Sequence, residues 1–327
     1  MKHTDYSIRA YLSPDAQILF DDIVTQKVLG ASAHIKMISQ MIKDICFTAR
    51  SQNESPDLLN AKIHQLSEFF IKNRGEASQA ITNAIMLMTR GCNDQVNRGI
   101  DEYITYLLKQ IEEFESRNRH NLELINQFAL RVLSKMNAIL LFDYSSTVAK
   151  MIDTYDYPLV IFIPESRALD GGKHYMFHAH KAHHKIHFIP DVAIYHYLKQ
   201  CDGVFIGSET HYPDGRVFNT VGTEMVAFIS HQFGIPFYVL TSLIKTDARS
   251  IHGYSKEPLI MNLRDRILPD IDNQIKEQID FSCPEVVEIS SEYITAFITE
   301  VGIIPPSAMF QLSLNYINEI GGISNNV

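Results

Sequence analysis

The chain has 327 residues, 46% of them apolar, with a mean hydropathy of −0.07 and a formal net charge of −9 at neutral pH. No apolar run reaches the roughly 18 residues of a helical membrane span, and a pI near 5.8 argues against a dominant nucleic-acid surface, which would be basic. Its four cysteines, Cys46, Cys92, Cys201 and Cys283, lie far apart without a CxxC pair, which argues against a zinc ribbon or disulfide framework and suits a reducing compartment.

The N-terminal MKHTDYSIRAYLSPDAQ lacks the apolar core of a signal peptide and is no Arg/Ser-rich transit sequence, so the cytoplasm is the expected location. Up to about residue 135 the pattern is helical. The run from Leu29 puts Ile35, Ile38, Ile42, Ile45 and Phe47 close to a 3.6-residue period. Asn60 to Lys72 and Gln79 to Met88 follow the same rule, and Ile100 to Asn137 is a long charged helical stretch with an expected break near Asn118 to Asn121. Residues 1–135 are therefore expected to form an all-helical domain.

From Ala138 the character changes. Short apolar runs occur at Ala138–Phe142, Leu159–Ile163, Ile186–Ile189, Gly203–Ile206, Phe237–Leu240 and Ala296–Thr299, most of them separated by helix-length spacers. Uncharged strands alternating with helices imply an α/β, Rossmann-like domain over 136–327 with a mainly parallel sheet covered on both faces. Ligands of such sheets bind beyond the carboxyl ends of the strands.

The residues after each run are thus the candidates. Asp143-Tyr144-Ser145-Ser146 opens a helix; its hydroxyls suit an anion, or Ser145 or Ser146 is a plain N-cap. Glu165-Ser166-Arg167 is either a polar ligand site or a structural ion pair. Glu209 ends a strand ahead of a hairpin-like turn at Pro213-Asp214-Gly215. Val217 to Thr223 is expected to open the helix that continues through Phe233, with Asn219 and Thr223 as caps. Lys245 can place a point charge on a phosphate, or is simply solvated.

Six segments in this order carry a resemblance: Glu165-Ser166-Arg167, Ile189–Leu198 (IPDVAIYHYL), Cys201–Glu209 (CDGVFIGSE), Asp214–Thr223 (DGRVFNTVGT), Gly234–Leu240 with Lys245, and Ile298–Ala308 (ITEVGIIPPSA). Together they resemble the superfamily of the α, β and δ subunits of eukaryotic translation initiation factor 2B, archaeal ribose-1,5-bisphosphate isomerase and methylthioribose-1-phosphate isomerase. Gly30-Ala31 and Asn73-Arg74-Gly75 echo the family's phosphate-site loops. The resemblance implies a phosphorylated small-molecule ligand near Gly30, Ala31, Arg74, Ser145, Ser146, Glu165, Arg167, Asn219 and Lys245. It also implies a homodimer or a larger initiation-factor-like complex, without membrane or direct nucleic-acid partners; no cofactor and no metal are expected.

In the isomerases of this superfamily a cysteine after the first strand and an aspartate in a Gly-Ala-Asp turn carry the proton transfers. Asp143 stands where that cysteine would be, Glu209 at the aspartate, and Thr220 replaces the lysine of an NKxGT motif. A thiol of lowered pKa shuttles protons near neutrality, whereas an aspartate with a reference pKa near ~3.9 is a poor acid unless buried. The expectation is accordingly a regulatory or subunit protein that binds a sugar phosphate or nucleotide without conventional isomerase activity. The alternative is an aldose–ketose isomerase in which Asp143 and Glu209 rebuild the acid–base pair by mutual repulsion. A third reading is a pure assembly subunit using its long charged helices.

His174, His178, His180, His183, His184 and His187 crowd one segment. His180 with His184 and His183 with His187 have the spacing of helical metal pairs, yet a solvated, pH-sensitive surface is the expected role.

Overall fold

The computed structural model describes residues 6–25, 27–28, 30–75, 78–181 and 184–320. The chain forms two compact units, one running to His120 and the other from Asn121 to Glu319. The division falls inside a helix, upstream of residue 135, where the sequence pattern changes from helix to strand.

The first unit is helical: α1 (Pro14–Val24), α2 (Ala31–Ser51), α3 (Pro56–Phe70), α4 (Gln79–Met88) and the start of α5 (Ile100–Leu133). Local chemistry sets the helix starts. Ser13 Oγ accepts from Ala16 N ahead of Pro14, and Ser55 Oγ accepts from Leu58 N ahead of Pro56. Both pairs use an N-cap hydroxyl and a proline whose missing N–H is no loss at the first helical position. On α2 the buried stripe is Ile35, Ile38, Ile42, Ile45 and Ala49; Phe47, off that period, is exposed. The expected break near Asn118–Asn121 is absent, and α5 runs unbroken. Its buried residues Ile111, Phe114, Ile125 and Ala129 flank that point, and burying each large one contributes about 1.5–3 kcal/mol, more than asparagine's helix penalty.

The second unit is built on β1 (Ala138–Leu141), α6 (Ser146–Asp153), β2 (Val160–Pro164), α7 (Gly172–Lys181), β3 (Lys185–Ile189), α8 (Ile194–Leu198) and β4 (Gly203–Ile206). There follow β5 (Thr210–His211), β6 (Val217–Thr220), α9 (Thr223–Phe233), β7 (Phe237–Leu240), β8 (Ile260–Asn262), α10 (Arg264–Ile267) and α11 (Asn273–Lys276). The chain closes with β9 (Ser282–Pro284), β10 (Val286–Ile289), β11 (Ala296–Thr299), β12 (Gly302–Ile304) and α12 (Met309–Ile320).

All six apolar runs are strands of one seven-stranded sheet of order β12-β11-β7-β4-β1-β2-β3, parallel except for the β12 edge. Alternation along the strands feeds two cores. Ile139, Leu141, Ile161, Ile163, Phe205 and Leu240 pack with Ile125 and Ala129 of α5 and Val148 and Ile152 of α6. Leu140, Phe162, Val204, Ile206, Val239 and Phe297 pack with Leu198 of α8 and Val226 of α9. Both faces are dry, which is why the strands read as unbroken apolar runs.

One expectation is corrected. Val217–Thr220 is not the opening of a helix but strand β6, paired antiparallel with β5 and β10 in a three-stranded sheet. The helix starts at Thr223 after Gly222, which has φ +97° and whose added Cβ would come within 2.8 Å of the Phe142 ring. Neither Asn219 nor Thr223 caps it.

Candidate functional site

The strand order reverses beside β1: β2 and β3 lie on one side of it, β4 and β7 on the other. Ligands of open parallel sheets bind beyond the carboxyl ends of the strands at such a switch point. Asp143 follows β1, Glu165–Arg167 follows β2, Glu209 follows β4 and Lys245 follows β7, four adjacent strands.

Asp143 is buried, with the left-handed φ of +55° that a short polar side chain tolerates. Its N–H donates to Ser166 Oγ at 3.0 Å, and its Oδ2 accepts from Thr220 Oγ1 at 2.7 Å. Burial pushes its carboxyl from 3.8 up to about 6, and the charge of Glu209 adds to the rise. The bonds from Thr220 and the Tyr144 backbone, and the nearby His174, pull the other way. The backbone of Gly171 closes the other side: a Cβ there would fall 2.1 Å from Asp143 Oδ1, so only glycine lets the two approach.

Glu209 is half-buried, and its N–H donates to Phe218 O at 2.9 Å, fixing it at the root of the β5–β6 ribbon. Lys245 ends a short helical turn, Leu243–Lys245, with its ammonium donating to Ser208 O. Burial lowers its pKa while the charge of Glu209 supports the protonated form. The turn is clamped by Glu300, just after β11, whose carboxylate accepts from Ser242 Oγ at 2.8 Å and from Leu243 N at 3.2 Å. Asp143, Glu209 and Lys245 therefore share one electrostatic environment.

The other candidates are placed less centrally. Ser145 is the N-cap of α6, as the plain reading has it, and its N–H donates to the buried Tyr175 hydroxyl at 2.9 Å; Ser146 is the exposed first residue of α6. Asp191 holds the β2 turn by accepting from Ser166 N at 2.9 Å and Arg167 N at 2.8 Å. The exposed Arg167 guanidinium stands 3.8 Å from Glu165, a loose pair worth little in water. Asn219 is buried and turns its amide to Thr223 Oγ1 at 3.3 Å; it is Thr220 that reaches Asp143.

Gly30, Ala31 and Arg74 belong to the helical unit. Gly30 precedes α2, Ala31 begins it, and Arg74 lies in the Ile71–Gly75 turn. Arg74 is close enough to His34, one turn into α2, to add to the burial that lowers the imidazole pKa. The two loops echoing phosphate sites thus come together within that unit.

The histidine segment disperses. His174 and His178 pack on the Tyr144 ring, and His178 Nδ1 pairs with Asp153 at 2.7 Å. His184 is buried against the backbone of Leu159 and Ile152, and His187 stacks on Phe162. His183 and the His180 side chain lie outside the described residues. Among the described residues no three His, Cys, Asp or Glu side chains could hold a metal ion, and no helix is long and apolar enough to cross a membrane.

Sequence reasoning missed Asp191 and Gly171 as parts of this site, and it named Ser166 and Thr220 without their hydrogen bonds to Asp143. A hydroxyl donor or a glycine carries no charge signature, and only the β6 register brings Thr220 across from Asp143.

A buried carboxyl raised to about 6, a second carboxylate and a half-buried lysine thus follow adjacent strands at the switch point of the parallel sheet. The chain belongs to the Initiation factor 2 subunit family, whose family model matches residues 29–306. It is 22% identical over 308 residues to the ribose 1,5-bisphosphate isomerase of Methanocaldococcus jannaschii, covering 91% of this chain and 94% of that protein. It is 22% identical over 278 residues to the 5-deoxyribose 1-phosphate isomerase of Petrotoga mobilis, covering 79% and 78%. Two solved structures from Pyrococcus horikoshii share the fold. Translation initiation factor eIF-2B aligns with a TM-score of 0.72 at 19% identity, covering 90% of this chain and 98% of that one. 5-Methylthioribose 1-phosphate isomerase aligns with a TM-score of 0.72 at 16% identity, covering 94% and 88%.

Proposed function

We propose that this protein is an aldose–ketose isomerase acting on a ribose phosphorylated at O1, with Asp143 and Glu209 as its acid–base pair. The sequence alone favours a binding protein, because an aspartate replaces the thiol. The observation that reverses this preference is the burial of Asp143 beside Glu209 at the strand ends, which raises its carboxyl to about 6, so that about a tenth of it carries a proton at pH 7. The sugar-phosphate isomerases among its relatives support the same choice.

The chemistry needs no redox partner. Asp143 donates its proton to the ring oxygen as the C1–O4 bond opens, and Glu209 takes the proton from C2, leaving a C1=C2 enol phosphate. The enol O–H then loses its proton as C2=O forms, and C1 gains one, so the ketose is an isomer of the starting sugar. Lys245 supplies charge for the phosphate and for the developing enolate. Ser166 and Thr220 hold Asp143 in the orientation that proton transfer requires.

The test is ketose formation, followed by NMR, from ribose 1,5-bisphosphate, 5-deoxyribose 1-phosphate and methylthioribose 1-phosphate. Turnover that drops by three orders of magnitude or more (~10³) in Asp143→Asn and in Glu209→Gln supports the reading. A wild-type protein that binds these sugars without converting them returns the assignment to a regulatory binding protein. Native mass measured on the same preparation tests the expected homodimer against a larger assembly.

A further inference from the structure

The strands that lead to Lys245 and to Glu300 are neighbours. β11 pairs with β7 in parallel, Ile298 opposite Leu240, and beyond them Thr241 N–H donates to Ile298 O at 3.1 Å. In the parallel pattern the next donor, Leu243 N–H, would fall to the backbone of Glu300. It donates instead to the Glu300 carboxylate, 3.2 Å from either oxygen. The same carboxylate accepts from Ser242 Oγ at 2.8 Å and from Asn121 Nδ2 at 3.3 Å. All three partners donate, so the place calls for a side chain with several acceptor lone pairs.

The turn held in this way is short and closed. Lys245 N donates to Ser242 O and Thr246 N to Leu243 O, each at 3.0 Å, and Ser242 Oγ accepts from Ile244 N at 3.4 Å. Its far end is tied to β5 by Asp247 N, which donates to His211 O at 2.9 Å. Between these two fixings the Lys245 side chain crosses to the end of β4 and donates to Ser208 O, the carbonyl before Glu209. A flexible four-carbon stem places its ammonium only as well as its backbone root is placed. Glu300 bonds the backbone and the hydroxyl of the turn, so it acts on the ammonium through the turn.

We propose that Glu300 is a positioning residue of this site, fixing the root of the Lys245 side chain so that its ammonium stays beside Glu209. The proposal rests on the sugar-phosphate reading above for what that ammonium then does, which is to meet the anionic groups of the substrate. Burial, and more weakly Glu319, oppose the charge of Glu300, while its own N–H and the Ser242 and Leu243 bonds support it.

The experiment is a double-mutant cycle of Glu300→Ala and Lys245→Met, read in kcat/KM and in calorimetric affinity for ribose 1,5-bisphosphate, with Glu300→Gln as the conservative variant. Misplacing the ammonium predicts a fall in kcat/KM on the order of 100-fold in E300A and a change under about twofold when E300A is added to K245M. E300Q, whose amide oxygen still accepts, is expected near wild type. A ligand-free arm follows reductive methylation of Lys245, expected about 10-fold faster in E300A than in wild type or E300Q. Glu300→Asp, one methylene short, takes the place of E300A should the latter not fold. Equal methylation in wild type and E300A, equal losses from E300A with and without Lys245, or an E300Q as impaired as E300A each overturn the assignment. Wild type that binds the sugar without turnover removes the isomerase reading and leaves the cycle to be read in affinity. Wild type that does not bind it removes the sugar-phosphate reading, and the methylation rates then decide the role of Glu300.

Discussion

Thr220 Oγ1 lies 2.7 Å from Asp143 Oδ2, joining the end of β6 to the end of β1 by a buried hydrogen bond. The bond lowers the Asp143 pKa against the stronger effect of burial. Thr220→Val keeps the shape and removes the donor. The Asp143 carboxyl is then expected to titrate at higher pH than in wild type, and the alkaline limb of the activity profile to move with it. Unfolding in urea at pH 8 should show a loss of about 1–3 kcal/mol, since the bond joins a hydroxyl to a charged group. An unchanged alkaline limb would show that the carboxyl does not set it.

Asp143→Asn separates stability from activity. The wild-type carboxyl has a value of about 6 in the folded protein against 3.8 ordinarily. Its ionisation therefore adds no penalty below the lower value and destabilises the fold increasingly as pH rises through this window, by about 3 kcal/mol above it. Asparagine accepts the Thr220 bond without a charge. Denaturation should find D143N more stable than wild type by about 2–3 kcal/mol at pH 8, with the gain vanishing near pH 4, while turnover is lost. A difference independent of pH would refute the burial argument.

Gly171→Ala probes the other side of the carboxyl. A methyl group there would stand 2.1 Å from Asp143 Oδ1 and 2.9 Å from Tyr144 N, so the acid must move. Displacing a proton donor by even about 1 Å costs on the order of 100-fold in rate. Steady-state kinetics should show kcat falling much further than KM rises. Wild-type kcat in a folded G171A would mean that the Asp143 position is not critical.

The fold was legible because its strongest signals are local. Each of the five inner strands, β11, β7, β4, β1 and β2, is a short uncharged run, and the stripe at Ile35, Ile38, Ile42 and Ile45 has the helical period. What the sequence concealed depends on partners far away in the chain. Val217–Thr220 has the β-branched and aromatic residues of a strand, but its pairing with Val286–Ile289 is nonlocal, and the helical pattern downstream masked it. The asparagines at 118 and 121 suggested a break that the buried face of α5 overrides. Asp143, Glu209 and Lys245 could be found because charges after strand ends are conspicuous. Gly171 could not, and the bond from Thr220 to Asp143 could not, since a missing side chain and a hydroxyl gain meaning only from what they approach.

The central claim is that burial raises the Asp143 carboxyl far enough for it to donate a proton near neutral pH. Selective carbon-13 labelling of aspartate, with the Asp143 carboxyl assigned by its absence in D143N, reads this directly from an NMR titration. A midpoint near 6 is the predicted result. A midpoint near the ordinary aspartate value of ~3.9 would leave Asp143 fully ionised at neutral pH and contradict the account.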